Sequence, residues 1–446
     1  MTATAPAAQA PTLWRHKGFR RLWGAQAVSV LGSQVTELAL PLAAVAVLGA
    51  GAFEVGVLVA VQYLPFLLVG LPAGAWVDRL PRRPVMVIAD VVRFGVLLAL
   101  PVLALTGVLE LWMLYPVAFV VGVATVFFDI AAQAYLPALI GEDRLIEGNT
   151  KLQVSQTVGQ LAGPSVGGFL IQLLTAPVAV IANAIGFAVS GLLLLGTKAH
   201  DPRPERRPDA PGLVAEVREG LRYVFGHRLL RPLALTAGLG NLFGVFGMVQ
   251  AVLVLFAVRD LGLEPGVLGL ALAFANGGVL LGATVNGRLT RRWGTGPMLA
   301  ASSLLLGACL LLLPLATRAT AVPVLGVSMA LAGVFAAIFN INQVSLRQAV
   351  TPAELRGRMT ATMRFVVWGT IPVGTFAGGA LAETVGVRPM LWIAGVGSVL
   401  AGLPVLLSAV RALREIPTSP DAREPADAPG TPDQRGAADG QGAGGD

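Results

Sequence analysis

The residues in this chain that could do chemistry are few, and they stand alone in apolar surroundings. Glu37 lies near the middle of the first long apolar run, with Gln34 one helical turn before it. Asp90 and Arg93 stand three apart in another such run, a spacing that lets the two side chains meet on one helix face. Asp129 and Arg364 each interrupt a further run. Charges inside membrane segments are costly, so those that occur are paired or functional. A carboxyl that alternates between wet and buried surroundings changes its hold on its proton, so it can load and release one. Glu37 is therefore the first candidate for proton or cation handling, with Asp129 and Asp90 behind it. The competing role for Glu37 is a hydrogen bond between helices. Asp90 with Arg93 fits a structural or gating pair. Arg364 fits a gating or snorkelling residue, and Glu383 is expected to be solvated near the outer surface. Gln34, Gln62, Asn241, Asn276, Asn340 and Gln343 are the neutral polar residues that could line a cavity, although each also suits a helix–helix hydrogen bond.

These residues need a scaffold, and composition names it. The chain has 446 residues, 55% of them hydrophobic and only 13% charged, with a mean hydropathy of +0.73. A soluble domain carries about 25% charged residues. Apolar runs of about 20 residues, enough to cross a bilayer, recur at about 22–48, 54–77, 85–106, 109–140, 148–174, 177–197, 231–258, 265–289, 297–317, 321–350, 357–384 and 388–413. The expected fold is an all-α polytopic membrane protein of about twelve spans, in two six-helix halves covering 22–197 and 231–413. A segment at 1–21 precedes them. A central loop at 198–230 carries an amphipathic helix that fits an interfacial position, and a Pro/Gly-rich tail at 414–446 is expected to be disordered.

Orientation follows from arginine and lysine. Arg15, Lys17, Arg20, Arg21, Arg79, Arg82, Arg83, Arg144, Lys151, the central loop, Arg288, Arg291, Arg292, Arg347 to Arg358, Arg411 and Arg414 fall on one side, against Arg259, Arg318 and Arg388 on the other. The basic side is expected to be cytoplasmic, with both termini inside. This asymmetry also accounts for the net charge of +7 without nucleic acid. Enzymatic readings find little support. The only lysines are Lys17, Lys151 and Lys198, and none completes a phosphate-cradling loop. No Gly-x-Ser-x-Gly comes with a histidine inside a span, and there is no His-Glu-x-x-His. His16, His200 and His227 lie in polar connections and Cys309 is the lone cysteine, so no metal site, cofactor or internal disulfide is expected.

One stretch appears twice. Gly74-Ala75-Trp76-Val77-Asp78-Arg79-Leu80-Pro81-Arg82-Arg83 is echoed by Gly282-Ala283-Thr284-Val285-Asn286-Gly287-Arg288-Leu289-Thr290-Arg291-Arg292. A repeat at half-chain spacing in a membrane protein points to a transporter whose halves rock against each other. Asp78 beside Arg79 is a charge cluster that can lock one conformation and release it in another, with Arg82, Arg83 and Arg288 as further gating candidates. Gly70 with Gly74, and Gly278 with Gly282, are spaced for close helix packing.

The first copy resembles the major facilitator superfamily signature Gly-x-x-x-Asp-Arg-x-Gly-Arg-Arg, with Pro81 in place of the later glycine. Gly159-Gln160-Leu161-Ala162-Gly163-Pro164-Ser165-Val166-Gly167-Gly168 resembles the antiporter signature Gly-x-x-x-Gly-Pro-x-x-Gly-Gly of the drug/proton exporters. Gly369, Pro372, Gly374, Gly378 and Gly379 echo it loosely. Phe19-Arg20-Arg21-Leu22-Trp23 and Ser29-Val30-Leu31-Gly32-Ser33 are similar to the bacterial branch of siderophore and macrolide exporters. The resemblance covers 13–413 and implies a proton-coupled exporter of small amphipathic molecules in the bacterial cytoplasmic membrane, acting as a monomer. It departs in one respect: those exporters carry an arginine in span four, and 109–140 has no Arg or Lys. Arg93, with Asp90, is the stand-in. The alternatives are a narrow-specificity natural-product exporter, an uncoupled facilitator, and a non-transporting receptor or scaffold.

Overall fold

A computed structural model describes residues 12–77, 79–197 and 213–416. Asp78, the first half of the central loop and the tail from 417 onward lie outside the described residues. Among those described, the chain is helical and carries no strand. The amino-terminal lobe comprises α1 (Lys17–Leu42), α2 (Ala52–Leu68), α3 (Gly70–Val77), α4 (Arg82–Leu105), α5 (Leu111–Ile140), α6 (Leu145–Leu174) and α7 (Ala176–Leu195). Helix α8 (Leu213–Gly226) bridges to the carboxy-terminal lobe. That lobe comprises α9 (Leu230–Phe243), α10 (Met248–Leu255), α11 (Pro265–Trp293), α12 (Thr295–Leu310), α13 (Ala321–Val350), α14 (Arg356–Val385), α15 (Val387–Leu400) and α16 (Leu403–Leu406).

Among the described residues, ten helices are long and apolar enough to cross a membrane. The pair α2–α3 and the more polar α6 bring the spans to twelve. In the second span the ladder is interrupted at Val69, where Pro72 has no N–H to offer the carbonyl of Leu68, four residues before it. The seventh span was expected as one helix over 231–258, and it is instead broken between α9 and α10. Gly244 and Gly247 sit in the gap, and the latter adopts φ −107°, ψ −113°. Helix α1 begins at Lys17, inside the segment expected to precede the first span. The amide of Phe19 donates to His16 Nδ1 at its start. Residue Leu13 is fully buried beneath this start, and Glu147 of α6 accepts from its amide at 3.0 Å and from Thr12 at 3.2 Å. Helix α8 docks on the start of α14 rather than lying free. Arg358 pairs with Glu219 at 2.6 Å and Val224 is fully buried, whereas Phe225 is exposed.

Apolar packing shows where the lobes meet. At the end away from the basic loops, one cluster of buried residues runs through both lobes, from Val35, Leu38 and Val55 to Val249, Leu253 and Leu391. At the basic end the core divides. Phe19, Met86 and Tyr135 belong to one cluster, and Leu233, Met359 and Met363 to another. Helix α10 packs on α2 and α1, and the two most extensive cross-lobe helix pairs are α2 with α14 and α6 with α11. Both pairs depend on glycine in their outer halves. A Cβ on Gly56 would sit 2.7 Å from the Cα of Gly379, and one on Gly168 would sit 3.1 Å from the Cα of Gly269. The lobes therefore touch backbone to backbone at the outer end and part toward the basic end. The repeated glycines behave differently in the two lobes. Gly278 and Gly282 pack on Ala330 and Val334 of α13, as their spacing predicts, whereas Gly70 and Gly74 face open space.

Gly379→Val is expected to wedge α14 off α2 and hold the outer end open. In a Cys309→Ala background with spin labels at Val108→Cys and Leu315→Cys, exposed at the outer ends of opposite lobes, the label separation should lengthen. An unchanged separation in folded protein would show that the close approach does not hold this end shut.

Candidate functional site

Glu37 sits on α1 between Val35 and Leu38, which belong to the apolar core that runs through both lobes. Pro41, four residues on, has no N–H to offer the Glu37 carbonyl, so the helix is loosened at this point. The carboxylate accepts three hydrogen bonds. Gln34 Nε2 donates to Oε2 at 3.0 Å, Tyr63 Oη of α2 donates to Oε1 at 2.9 Å, and Gln250 Nε2 of α10 reaches Oε1 at 3.3 Å. Gln250 also lies 3.4 Å from the Tyr63 hydroxyl. The first acidic candidate thus joins the two lobes. Neither Tyr63 nor Gln250 was singled out from the sequence. Tyr63 is one of four tyrosines in the chain and Gln250 interrupts an otherwise apolar helix, which are the signals that mark them.

Asp90 and Arg93 form a sealed unit within the amino-terminal lobe. They are 2.5 Å apart and essentially unexposed. Ser190 donates to the other carboxylate oxygen at 2.7 Å. The guanidinium lies between the rings of Phe128 and Phe187, 4.4 and 4.0 Å from their centroids. Such sandwiching compensates a buried cation electrostatically. Asp129, on α5, is half-buried and lies within electrostatic reach of Arg93 and, on the opposite lobe, of Arg364. Arg364 is exposed, with its guanidinium 5.8 Å from the Trp368 ring.

The signature helix α6 has two working faces. Gly159, Gly163 and Gly167 admit Val30, Gln34 and Val35 of α1, and Gly168 admits α11. Pro164 leaves the Gln160 carbonyl without its helical donor, and Asn276 of the other lobe donates to that carbonyl at 2.6 Å. The outer rim adds further links between the lobes. Glu383 accepts from the amide of Phe53 at 3.3 Å, so it caps α2 rather than being merely solvated. Gln172 donates to Glu264 at 2.7 Å, and Arg259 donates to the Val45 carbonyl at 3.3 Å.

The remaining candidates scatter. Asn241 donates to the Val367 carbonyl inside its own lobe. Gln343 donates to Asn340, which is exposed, while Gln343 Oε1 is buried without a partner. Gln62 is half-buried on α2. Arg83 donates to the carbonyls of Leu194 and Leu195 at the end of α7, where a cation complements the helix dipole. Arg79 and Arg288 are exposed at the basic end. Asn286, the repeat's counterpart of Asp78, accepts from Asn342 at 2.7 Å and is bound into its own lobe.

Two lobes of six spans, joined at one end and bridged there by a carboxylate, define a multi-pass transporter of the major facilitator superfamily. The chain belongs to its transmembrane secretion effector family, which it matches over residues 7–435. It is 28% identical to the multidrug efflux pump Tap of Mycolicibacterium fortuitum over 73% of this chain and 80% of that protein. It is 21% identical to macrolide efflux protein A of Streptococcus pyogenes over 90% and 98% of the two. Among solved structures, the nucleoside transporter NupG superposes with a TM-score of 0.69 at 13% identity, over 88% of this chain and 98% of that one. A bacterial homologue of the iron transporter ferroportin, in an inward-facing state, superposes at 0.67 and 18%, over 89% and 99%. The structural likenesses establish the fold. Family membership makes the chain a transporter and not an enzyme.

Asp90→Asn should leave Arg93 buried without its counter-charge and destabilise the protein by about 3 kcal/mol, read as a fall in thermal unfolding temperature in detergent. The pair replacement Asp90→Leu with Arg93→Met should recover most of that loss. A single substitution without effect would mean that the aromatic sandwich alone carries the cation.

Proposed function

We propose that the protein exports small amphipathic organic molecules by alternating access, in exchange for protons moving inward. The observation that carries this reading is Glu37, a half-buried carboxyl at the inner limit of the closed end, bonded to both lobes. A group so placed would face the basic side in one state and the outer solution once the lobes part there. It is therefore positioned to take up a proton on one side and release it on the other. Asp129 and Arg364, on opposite lobes and within electrostatic reach of each other, are the second polar element along that path. Aromatic surface beside Glu37 suits an apolar substrate body. Phe66 lies 6.4 Å from Tyr63 and 5.4 Å from Trp368, centroid to centroid, so a continuous aromatic wall spans the two lobes.

The direction is export because the chain's relatives include proteins named as multidrug and macrolide efflux pumps. The basic end, where the lobe cores are separate, is the cytoplasmic side by the distribution of arginine. Substrate would then enter from the cytoplasm or the inner leaflet. Gly70 and Gly74, which face open space here, lie on the surface that would meet the other lobe when the basic end closes.

The test is proton movement in inverted membrane vesicles, followed with a pH-gradient dye. Amphipathic compounds are expected to dissipate an established gradient through the intact protein, and Glu37→Gln is expected to abolish that response. Dissipation that survives the substitution would move the proton site to Asp129 or Asp90. Transport of a compound with no proton movement at all would rule out antiport.

A further inference from the structure

Gln250 reaches Glu37 from the opposite lobe, and its amide is only half used. Nε2 lies 3.3 Å from Glu37 Oε1 and 3.4 Å from Tyr63 Oη, both long contacts, and Oε1 is buried with no partner. Buried acceptors are normally satisfied, and an orphan calls for a physical reason.

We propose that Gln250 is a cross-lobe clasp whose two amide atoms read whether Glu37 carries a proton, holding the outer end shut when it does. This rests on the proton-antiport reading. An ionised carboxylate only accepts hydrogen bonds. In that state Glu37 meets three donors, and Gln250 Oε1 has nothing to accept from. A protonated carboxyl also donates. Turning the Gln250 amide about its last torsion exchanges its two ends, so that Oε1 meets a hydroxyl on Glu37 Oε1 and Nε2 turns toward the other carboxyl oxygen. The result is an acid–amide pair with two hydrogen bonds, and the orphan is satisfied. Gln34 remains on the other carboxyl edge, and the Tyr63 phenol can donate in either state.

Other groups near Glu37 do not supply this reading. Tyr63 is the titratable residue facing it from α2, and α10 presents Gln250 alone. Glu54 and Arg259, at the rim, bond the backbone of Gly51 and Val45. Helices α6 and α7, which also pack on α1, carry no charged residue between 152 and 197. The electrostatic partners of Asp129 on α5 are Arg93 and Arg364.

The clasp orders the cycle. A proton taken from the outer side would complete it and close that end. Release of the proton toward the basic end would return Gln250 to a single long bond and free the lobes to part outside once substrate is bound. Both halves of the exchange would then act through one cross-lobe contact.

The experiment uses the full chain in proteoliposomes, with spin labels at Val108→Cys and Leu315→Cys in the Cys309→Ala background. The outer-end separation is read by pulsed electron resonance from about pH 5 to about pH 8, across which a carboxyl held by a protein can titrate. The parent is expected to close at acid pH. Gln250→Met, which keeps length and loses both hydrogen bonds, should lower the closed-to-open ratio at acid pH about tenfold. Gln250→Asn, which keeps an amide and loses reach, should do the same and covers the case in which the first variant does not fold. Glu37→Gln, able to form an amide–amide pair, should stay closed at every pH. Full acid closure in either Gln250 variant overturns the clasp while leaving antiport intact. A parent with no response to pH, together with proton flux independent of Glu37, overturns both.

Discussion

Contact between two backbones at one end of the molecule is the constraint from which the rest follows. Lipid provides no hydrophobic force between helices, so close association depends on small residues that let main chains approach. Here that contact is concentrated in the outer half of α2 with α14 and of α6 with α11, where Gly56 meets Gly379 and Gly168 meets Gly269. One apolar core runs across this end, and two separate cores stand apart at the other. Separate lobe cores toward the basic side are the geometric result. Every polar group between the lobes owes its position to that seal.

Three of the polar links across the seal share one logic, in which a backbone group left without a helical partner is satisfied from the opposite lobe. Pro164 frees the Gln160 carbonyl and Asn276 takes it. Wider helical turns at Ala43–Val47 end α1, and Arg259 binds the Val45 carbonyl there. The start of α2 offers the Phe53 amide and Glu383 accepts from it. Such links hold while the lobes are together, and water can replace them when the lobes part. They give a gate direction and specificity at modest strength, which is what a reversible gate needs.

The charged residues divide by whether their surroundings can change. Asp90 and Arg93 are enclosed by Ser190, Phe128 and Phe187 within one lobe, and rocking of the lobes leaves that shell intact. Glu37 is bonded partly from its own lobe and partly from the other, so the same motion changes its partners. A proton-handling group needs that change of environment. By this criterion we propose Glu37 and Asp129 for the transport path, and Asp90 with Arg93 for the scaffold of the amino-terminal lobe.

Much of this was legible in the sequence, for a physical reason. A bilayer demands long apolar helices, so span positions, the two halves and their break near residue 200 can be read from hydropathy alone. Glu37 could be found because a carboxyl in such a run is expensive. The sequence also marked Gly163, Pro164 and Gly168 as a unit, and it located Asp90 and Arg93 one turn apart. It could not tell Gly74, which faces open space, from Gly282, which packs on α13, because that depends on which end of the molecule is closed. Nor could it tell that Asn241 serves its own lobe while Asn276 crosses to the other. Tyr63 and Gln250, 187 residues apart, join Glu37 only when α2 and α10 are brought against α1. Local composition sets which segments enter the membrane. Which side chains meet between them is decided by the packing of the two lobes, and only the tertiary structure contains that.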